Sequence, residues 1–382
     1  MALLELRQRG EVLPISVLIP SYRGGMRLVR LVKSLLQCNH SPFEIIVVAD
    51  EPSEGELAEL KEMCEHAPIK LIARSGRLGK VSALNEGLKL ARGDIVLFLD
   101  DDVLIEDPDF LRKIVEAMES YDIVDIKKVV IGKGLLSKLV HMEYTAYNFA
   151  SKLMAKLAGR TIAINGAAFA MRRVALEELN YFRPRLSEDF DLALRTFVKG
   201  LRFSYVETTH VLNYAPHSWQ KWFKQRKRWA VALASWLKEN YRDVLKAVLK
   251  MPHVVAIGLL ASLPSLLTTA VIYTLYNASY PKAIYLAFLS LSSVIKDIIP
   301  FAFLLSFTLH IAYAVTTLML ALLLISLGVF HAAVARYVKM NSHVHLLPVY
   351  LLFYQPLWLT VLLVGFARVL ILGHESVEDW VV

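Results

Sequence analysis

Residues Ile95–Val103 read IVLFLDDDV, a run of large apolar side chains that ends in three consecutive carboxylates. Five apolar residues rich in Val, Ile, Leu and Phe predict a short, buried β-strand. In open α/β sheets, ligands bind in the crevice beyond the carboxyl ends of the strands, which is where these acids would lie. Because side chains alternate along a strand, Asp100 and Asp102 would project to one side and Asp101 to the other.

Two carboxylates on one side are hard oxygen ligands suited to Mg²⁺ or Mn²⁺, which proteins usually share with substrate phosphates. A solvated acidic loop, or Asp102 acting as the cap of the following helix, explains the same acids without any ligand. The run of acids alone does not decide between a metal site and an acidic loop.

Short apolar strands alternate with amphipathic helices through the first part of the chain. The predicted strands are Ile15–Ile19, Glu44–Ala49, Ile69–Ala73 and Ile95–Leu99, and the predicted helices are Met26–Leu36, Glu54–Glu65, Lys80–Leu90, Phe110–Met118 and Leu135–Leu157. Alternation with short connections indicates an α/β fold with a mostly parallel sheet and helices on both faces.

Charge is distributed unevenly along the chain: of 43 Lys/Arg and 35 acidic residues, only five and four follow Met251. Three stretches there, 253–277, 283–335 and 346–372, are apolar and long enough to cross a bilayer, which needs about 20 apolar residues. The chain start, MALLELRQRGE, is too short and too charged for a signal peptide. We therefore expect a cytosolic globular domain followed by a multi-pass anchor in the cell membrane.

The number of spans depends on the middle stretch, which is too long for one crossing at 1.5 Å per residue. Two crossings would bury Lys296 and Asp297 and leave Arg336 and Lys339 outside. One crossing preceded by a re-entrant or interfacial segment at 283–298 would place Arg336 and Lys339 inside, as the positive-inside rule prefers. We expect three spans, with four as the alternative.

A segment between the two parts carries four of the six tryptophans. Trp222, Trp229 and Trp236 recur every seven residues, so they share one face of a helix. Lysine and arginine side chains surround them, and an aromatic stripe with basic flanks is typical of a helix at the level of lipid headgroups. A stripe that packs inside the protein is the alternative.

Further polar side chains are expected at the same crevice. Asp50 follows a predicted strand, and Arg77-Leu-Gly-Lys80 precedes a helix N-terminus, an arrangement that favours anions. Carboxylates for a divalent ion and cations for phosphates suggest a nucleotide-diphosphate ligand. At Ser187–Leu192 (SEDFDL), three acids precede an amphipathic helix; the helix dipole explains them, and a general base is the functional alternative.

Seven short motifs resemble those of membrane-bound family 2 glycosyltransferases, which include cellulose, chitin and hyaluronan synthases and ceramide glucosyltransferase. In chain order they are VLIPSY (17–22), IIVVAD (45–50), GKVSALNEGL (79–88), FLDDDV (98–103), NGAAFAMRR (165–173), SEDFDLALR (187–195) and QRKRW (225–229). The resemblance implies a GT-A (Rossmann-like) glycosyltransferase domain over 1–215, amphipathic interfacial helices over 216–251 and a transmembrane domain over 252–382.

The resemblance also implies how the donor is bound. Asp50 would contact the nucleotide base, and Lys80 would lie near the diphosphate. Asp100 and Asp102 would form the D-x-D pair, with Asp102 binding Mg²⁺ or Mn²⁺. The ion and nearby cationic side chains would stabilise the leaving diphosphate.

The catalytic residues implied by the resemblance come later in the chain. Asp189 would be the base that takes the proton of the acceptor hydroxyl during an inverting attack, with Glu188 beside it. Gln225, Arg228 and Trp229 form the QxxRW motif and would line the donor diphosphate and the acceptor entrance.

Some positions depart from the family pattern. Arg23-Gly24-Gly25 follows Tyr22 where the family usually has Asn-Glu, Glu51-Pro52 replaces Gly-Ser after Asp50, and Ala230 follows QxxRW where glycine is common. Three or four predicted spans are also few for a polymer channel within one subunit.

These features predict a membrane-anchored, metal-dependent, inverting glycosyltransferase with a nucleotide-sugar donor, UDP-linked because QxxRW accompanies UDP-using relatives. The acceptor would be a lipid, a lipid-linked glycan or a growing glycan at the cytosolic face. The alternatives are a processive polysaccharide synthase, working as an oligomer, a polyprenyl-phosphate sugar transferase and a catalytically inactive scaffold. We expect no nucleic-acid partner.

Overall fold

The structure is a computed structural model that describes residues 13–40, 43–254, 256–257, 286–287, 290 and 301–375. Its first elements in chain order are β1 (Ile15–Tyr22), α1 (Met26–Leu36), β2 (Phe43–Asp50), α2 (Glu54–His66), β3 (Ile69–Arg74), α3 (Lys80–Leu90), β4 (Ile95–Leu99), β5 (Val103–Leu104), α4 (Phe110–Met118), β6 (Ile123–Ile131) and α5 (Gly134–Ala158). They continue with β7 (Ala168–Arg172), α6 (Arg173–Glu178), α7 (Glu188–Lys199), β8 (Phe203–Tyr214) and α8 (Trp219–Lys250). The four predicted strands and five predicted helices are all present, with bounds within three residues of the prediction.

Eight strands of the described chain form one sheet in the order β3-β2-β1-β4-β7-β6-β8-β5. The first four are parallel, whereas β7 runs antiparallel to both β4 and β6, and β5 runs antiparallel to β8. The prediction of a mostly parallel sheet is therefore correct for the first half and wrong for the second, where the sheet is mixed.

Helices cover both faces of the sheet because side chains alternate along each strand. Val17 and Ile19 of β1 pack with α1 and α4, whereas Leu18 packs on the other face with α3 and α7. Burial of each such aliphatic side chain contributes about 1.5–3 kcal/mol. Gly87 lets α3 approach closely, since a Cβ at this position would lie 2.1 Å from Leu18 Cδ1. Close packing of α3 fixes the position of Lys80 at its start.

The helix α8 belongs to the same compact unit as the sheet, which comprises residues 1–262 and 360–382. It begins after Ser218, whose side chain accepts a hydrogen bond from the backbone N–H of Lys221. Trp222 is fully buried, and Trp236 is 8% exposed with its ring 5.6 Å from that of Phe190 on α7. The predicted headgroup location is wrong for these two rings, because they pack inside the protein.

The second compact unit comprises residues 263–359. Its described elements are α9 (Phe301–Tyr337), a 3₁₀ turn (Val344–Leu346), a helical turn (Leu347–Val349), a π-helical segment (Tyr350–Tyr354) and the start of α10 (Gln355–Leu370). By length and composition alone, Thr317–Tyr337 and Val344–Leu370 could each cross a membrane. The predicted span 253–277 and the start of 283–335 lie almost entirely outside the described residues.

Candidate active site

The carboxyl ends of three neighbouring parallel strands meet at one edge of the sheet. Because β2, β1 and β4 are adjacent and parallel, the residues at their carboxyl ends, Asp50, Tyr22 and Asp100, lie at the same end of the sheet. The chain leaves β3 on one side of β1 and returns as β4 on the other side. Such a reversal of strand order opens the crevice in which α/β proteins bind ligands.

Lys80 joins two acidic motifs that are far apart in the sequence. Its Nζ lies 2.9 Å from Asp100 Oδ1 and 2.8 Å from Glu188 Oε1. Burial lowers the pKa of Lys80, but the charges of Asp100, Glu188 and Asp189 outweigh this effect and raise it above its usual value. Lys80 is therefore a charged cation at the centre of the crevice.

Asp189 is held in one orientation by backbone donors. The N–H of Phe190 donates to Asp189 Oδ1 at 2.8 Å, and the N–H of Gly166 donates to Oδ2 at 3.2 Å. Burial, together with the neighbouring charge of Glu188, raises the pKa of Asp189 to about 7, although Lys80 opposes the rise. A carboxylate with a pKa near the working pH has the acidity required of a general base.

The three acids after β4 have different partners. Asp100 faces Lys80, whereas Asp101 accepts a hydrogen bond of 2.6 Å from Ser21 Oγ on β1. Burial and the charge of Asp100 raise the pKa of Asp102 to about 6, and the cationic side chains of Arg27 and Lys80 act in the opposite direction.

A divalent cation fits the pair Asp100 and Asp102, since it would relieve their mutual repulsion. Among the described residues, no group of three or more His, Cys, Asp and Glu side chains could form a complete metal site. Mg²⁺ is usually held by one or two carboxylates together with substrate phosphates, so a pair of carboxylates is a sufficient protein contribution.

Asp50 supports the loop that leads to Lys80. Its Oδ2 accepts hydrogen bonds from the N–H groups of Leu78 at 2.9 Å and Gly79 at 3.0 Å, and Arg74 Nε lies 3.2 Å from Oδ1. The side chain is nearly fully buried. The contact of Asp50 with a nucleotide base stays a prediction, whereas its support of the loop is a role that the sequence did not indicate.

The QxxRW motif lies in the first third of α8. Burial lowers the pKa of Arg228, and the negative charges of Asp100, Glu188 and Asp102 oppose this effect. Gln225 and Trp229 are half-buried on the same helix. Arg228 therefore lies within electrostatic range of the acidic cluster, with Gln225 and Trp229 within one turn of it on α8.

Arg226 occupies a variable position of QxxRW and was not predicted as a site residue. It is fully buried, its Nη2 lies 2.5 Å from Glu143 Oε2 on α5, and its guanidinium lies 4.1 Å from the centroid of the Trp229 ring. Arg226 therefore positions Trp229. In the sequence, only its place inside the motif pointed to Arg226, because its partner Glu143 lies 83 residues earlier in the chain.

The base of the crevice is apolar. The rings of Phe98 and Phe169 stack at 4.7 Å, and Phe182 meets Phe98 edge-on at 5.2 Å. Above them, Lys80 and Gly166 border a cavity of about 10 Å³. Such a volume holds about one water molecule, so the ion pairs of Lys80 close this part of the crevice.

Comparison with known proteins gives one family match that covers more than half of the chain. The model of the family described as "Glycosyltransferase like family 2" matches residues 13–232. The matched range contains the whole sheet and the QxxRW motif.

Two curated relatives are each 25% identical to the chain. One is the probable glycosyltransferase YdaM of Bacillus subtilis, over 59% of this chain and 56% of the relative. The other is a poly-beta-1,6-N-acetyl-D-glucosamine synthase of Staphylococcus epidermidis, and the match covers 60% of this chain and 56% of that relative. The chain thus spans just over half the length of these relatives.

Among solved structures, the mannosyltransferase PcManGT from Pyrobaculum calidifontis, in complex with GDP-Man and Mn²⁺, is similar with a TM-score of 0.51. The match has 20% sequence identity and covers 80% of this chain and 86% of that one. At this identity the likeness shows the fold, a GT-A-like mixed α/β sheet.

Proposed function

The chain belongs to glycosyltransferase-like family 2, and from that premise we propose that it transfers a sugar, with inversion, from a nucleotide-sugar donor to an acceptor hydroxyl at a membrane surface. One observation carries the proposal: Lys80 joins Asp100 to Glu188, beside Asp189, at the carboxyl edge of the sheet. Donor-binding and proton-accepting groups thereby share one crevice.

In the proposed reaction, the acceptor oxygen attacks the anomeric carbon as its proton passes to Asp189. The bond between that carbon and the diphosphate oxygen breaks, and the nucleotide diphosphate leaves with the bonding electrons. The charges of Lys80 and Arg228 would stabilise the leaving group. Asp100 and Asp102 would hold Mg²⁺ or Mn²⁺, which supplies further positive charge to the diphosphate when bound.

We propose UDP as the donor nucleotide, on the basis of the QxxRW motif, and Gln225, Arg228 and Trp229 as its neighbours. The named activity of the Staphylococcus epidermidis relative makes a growing glycan one acceptor to be tested beside a lipid. A processive synthase and a polyprenyl-phosphate transferase remain alternatives within the class.

Exposed apolar side chains support the membrane part of the proposal. On α9, Leu318, Leu322 and Val329 are each more than half exposed, and a large apolar surface of this kind marks a membrane or protein contact. On α8, exposed Tyr241 and Leu245 lie one turn apart. We propose that the Tyr241 face of α8, rather than the tryptophan stripe, contacts headgroups.

Purified full-length protein in nanodiscs, incubated with radiolabelled UDP-glucose, UDP-N-acetylglucosamine and GDP-mannose, tests the proposal. We expect release of nucleotide diphosphate from a UDP-sugar, with label in the organic extract for a lipid acceptor or in an insoluble pellet for a polymer. A folded protein that neither binds nor cleaves any of the three donors would be the inactive scaffold, and the proposal would be wrong.

A further inference from the structure

A second cavity lies between the segment that leads into α7 and the middle of α8. Its volume is about 170 Å³, and its lining includes Leu186, Ser187, Ser235 and Trp236. Ser187 directly precedes Glu188, so this cavity is next to the acidic pair but separate from the small cavity beside Lys80. Nothing described above uses it.

Two buried polar atoms of the lining lack partners. Ser235 is 6% exposed and Trp236 is 8% exposed. In the described part of the chain, neither Ser235 Oγ nor Trp236 Nε1 has a hydrogen-bond partner. Because a buried unpaired donor costs free energy, such atoms in folded proteins are usually satisfied by a water or a ligand.

The rest of the lining indicates which ligand chemistry fits. Leu186 and the indole of Trp236 provide apolar surface, while Glu239 and Glu375 provide carboxylate acceptors. Glu375 is held 2.6 Å from Lys238, and Glu239 is paired with Arg185. Arg185 also lines the cavity, so each carboxylate is balanced by a cation and the lining favours a neutral ligand over a charged one. Apolar faces with donors and acceptors at the edge match a hydroxylated ring.

Size and position agree with this chemistry. A cavity of about 150 Å³ is known to bind benzene, and this cavity is slightly larger. It shares no lining residue with the small cavity beside Lys80. A ring bound here would therefore lie outside the part of the crevice where the sugar of the donor reacts.

Resting on the proposed function, we propose that this cavity is a distal acceptor subsite that binds one neutral sugar ring. The acceptor is then a molecule that already carries a sugar, either within a glycan or as the headgroup of a glycolipid. Ser235 Oγ and Trp236 Nε1 donate to its hydroxyl groups, and Glu239 and Glu375 accept from them.

A matched pair of variants tests the subsite in the full-length protein. Ser235→Val and Ser235→Thr have nearly the same shape, but only threonine keeps the hydroxyl group. The probes are a β-1,6-linked N-acetylglucosamine trisaccharide and octyl β-glucoside below its micellar concentration, each followed by saturation-transfer NMR. Trp236→Phe, which keeps an aromatic ring and removes Nε1, provides a second variant if Ser235→Val folds poorly.

We expect wild type and Ser235→Thr to bind at least one probe, with binding weakened about fivefold or more in Ser235→Val and Trp236→Phe. Preference for the trisaccharide indicates a glycan, and preference for the glucoside indicates a glycolipid headgroup. Equal binding by all four proteins, or no binding of either probe by wild type, would show that the cavity holds only water. Titration of UDP-N-acetylglucosamine in the same samples reports separately on the proposed donor site.

Discussion

Lys80 is the residue on which the arrangement of the crevice depends most directly. It connects the D-x-D acids after β4 with the acids at the start of α7, which are 88 residues apart between Asp100 and Glu188. Its positive charge also lowers the pKa of Asp189 against the effect of burial. Substitution of Lys80 should therefore change both donor binding and the pH dependence of the reaction.

Lys80→Gln should raise the donor KM and move the acidic limb of the kcat–pH profile to higher pH. The sign follows from the charge: loss of the cation removes the effect that lowers the pKa of Asp189, so protonation disables the base at a higher pH than in wild type. Rates measured between pH 5 and about 9 test this. Lys33→Gln, with the same charge change at an exposed side chain, should leave the limb in place, and an unshifted limb in both variants would contradict the assignment.

Asp102→Ala should abolish the dependence of UDP affinity on Mg²⁺ or Mn²⁺, because one of the two proposed carboxylate ligands is lost. Calorimetric titration of UDP with and without each ion measures the effect. If wild-type protein binds UDP equally well in EDTA, the three acids do not bind a metal ion and form only an acidic loop.

At the scale of elements, α8 links the motif residues to the packing of the chain. Ala230 follows QxxRW where the family often has glycine, and a glycine lies opposite it on α10. A Cβ at Gly365 would lie 2.5 Å from Ala230 Cβ and 3.1 Å from its carbonyl carbon. The close approach of α10 to α8 thus depends on one small residue, supplied here by the second helix.

Gly365→Ala should lower the melting temperature and the transfer rate, since overpacking typically costs about 1–3 kcal/mol. The double variant Ala230→Gly, Gly365→Ala restores one glycine at the contact and should recover most of the loss. Thermal unfolding and turnover of the two variants provide the measurement. Failure of the double variant to recover either quantity would show that this contact does not control the fit of α10 on α8.

The elements also show what a sequence can predict. Strands β1, β2 and β4 were predicted because each is a largely buried run of aliphatic residues, whereas β3 is a half-buried strand with three aliphatic side chains, Ile69, Leu71 and Ile72. Strand β6 was missed because Asp125, Lys127 and Lys128 interrupt the apolar pattern, and they are buried only because partners such as Ser151 satisfy them. The burial of Trp236 was missed for the same reason: its partner Phe190 lies on another helix, distant in the sequence.

The candidate site was predictable to a similar extent. Asp100 and Asp102 followed from the end of a strand, and the resemblance supplied Asp189 and Arg228. The bond from Gly166 to Asp189 and the pair Arg226–Glu143 could not be predicted, because they join residues distant in the chain.

At the scale of the whole molecule, a GT-A-like domain is followed by apolar helices, and the exposed face of α8 is the proposed contact with the membrane surface. Tyr241, Leu245 and Leu249 are spaced one turn apart and are each more than half exposed. Arg242 and Lys246 lie beside them and would attract anionic headgroups by about 1 kcal/mol each near the surface, less in high salt.

Leu245→Glu should reduce transfer to a long-chain lipid acceptor severalfold while leaving UDP affinity unchanged, because it places a carboxylate against the headgroups and alters nothing in the crevice. Transfer rates in nanodiscs with anionic lipid test this. Leu60→Ala, a buried change in a different core cluster from that of α8, controls for general loss of stability. Equal rates for Leu245→Glu and wild type would show that this face does not contact the membrane.

The central claim is that Asp189 is the base of a sugar transfer in the crevice organised by Lys80. Asp189→Asn keeps the size of the side chain and one of its two backbone hydrogen bonds, but an amide cannot take up the acceptor proton. Turnover and UDP-sugar affinity of this variant, measured side by side in full-length protein, give the most direct test. We expect turnover to fall about 10²–10⁴-fold with donor affinity retained, whereas a variant that keeps more than about a tenth of wild-type turnover would show that Asp189 is not the base.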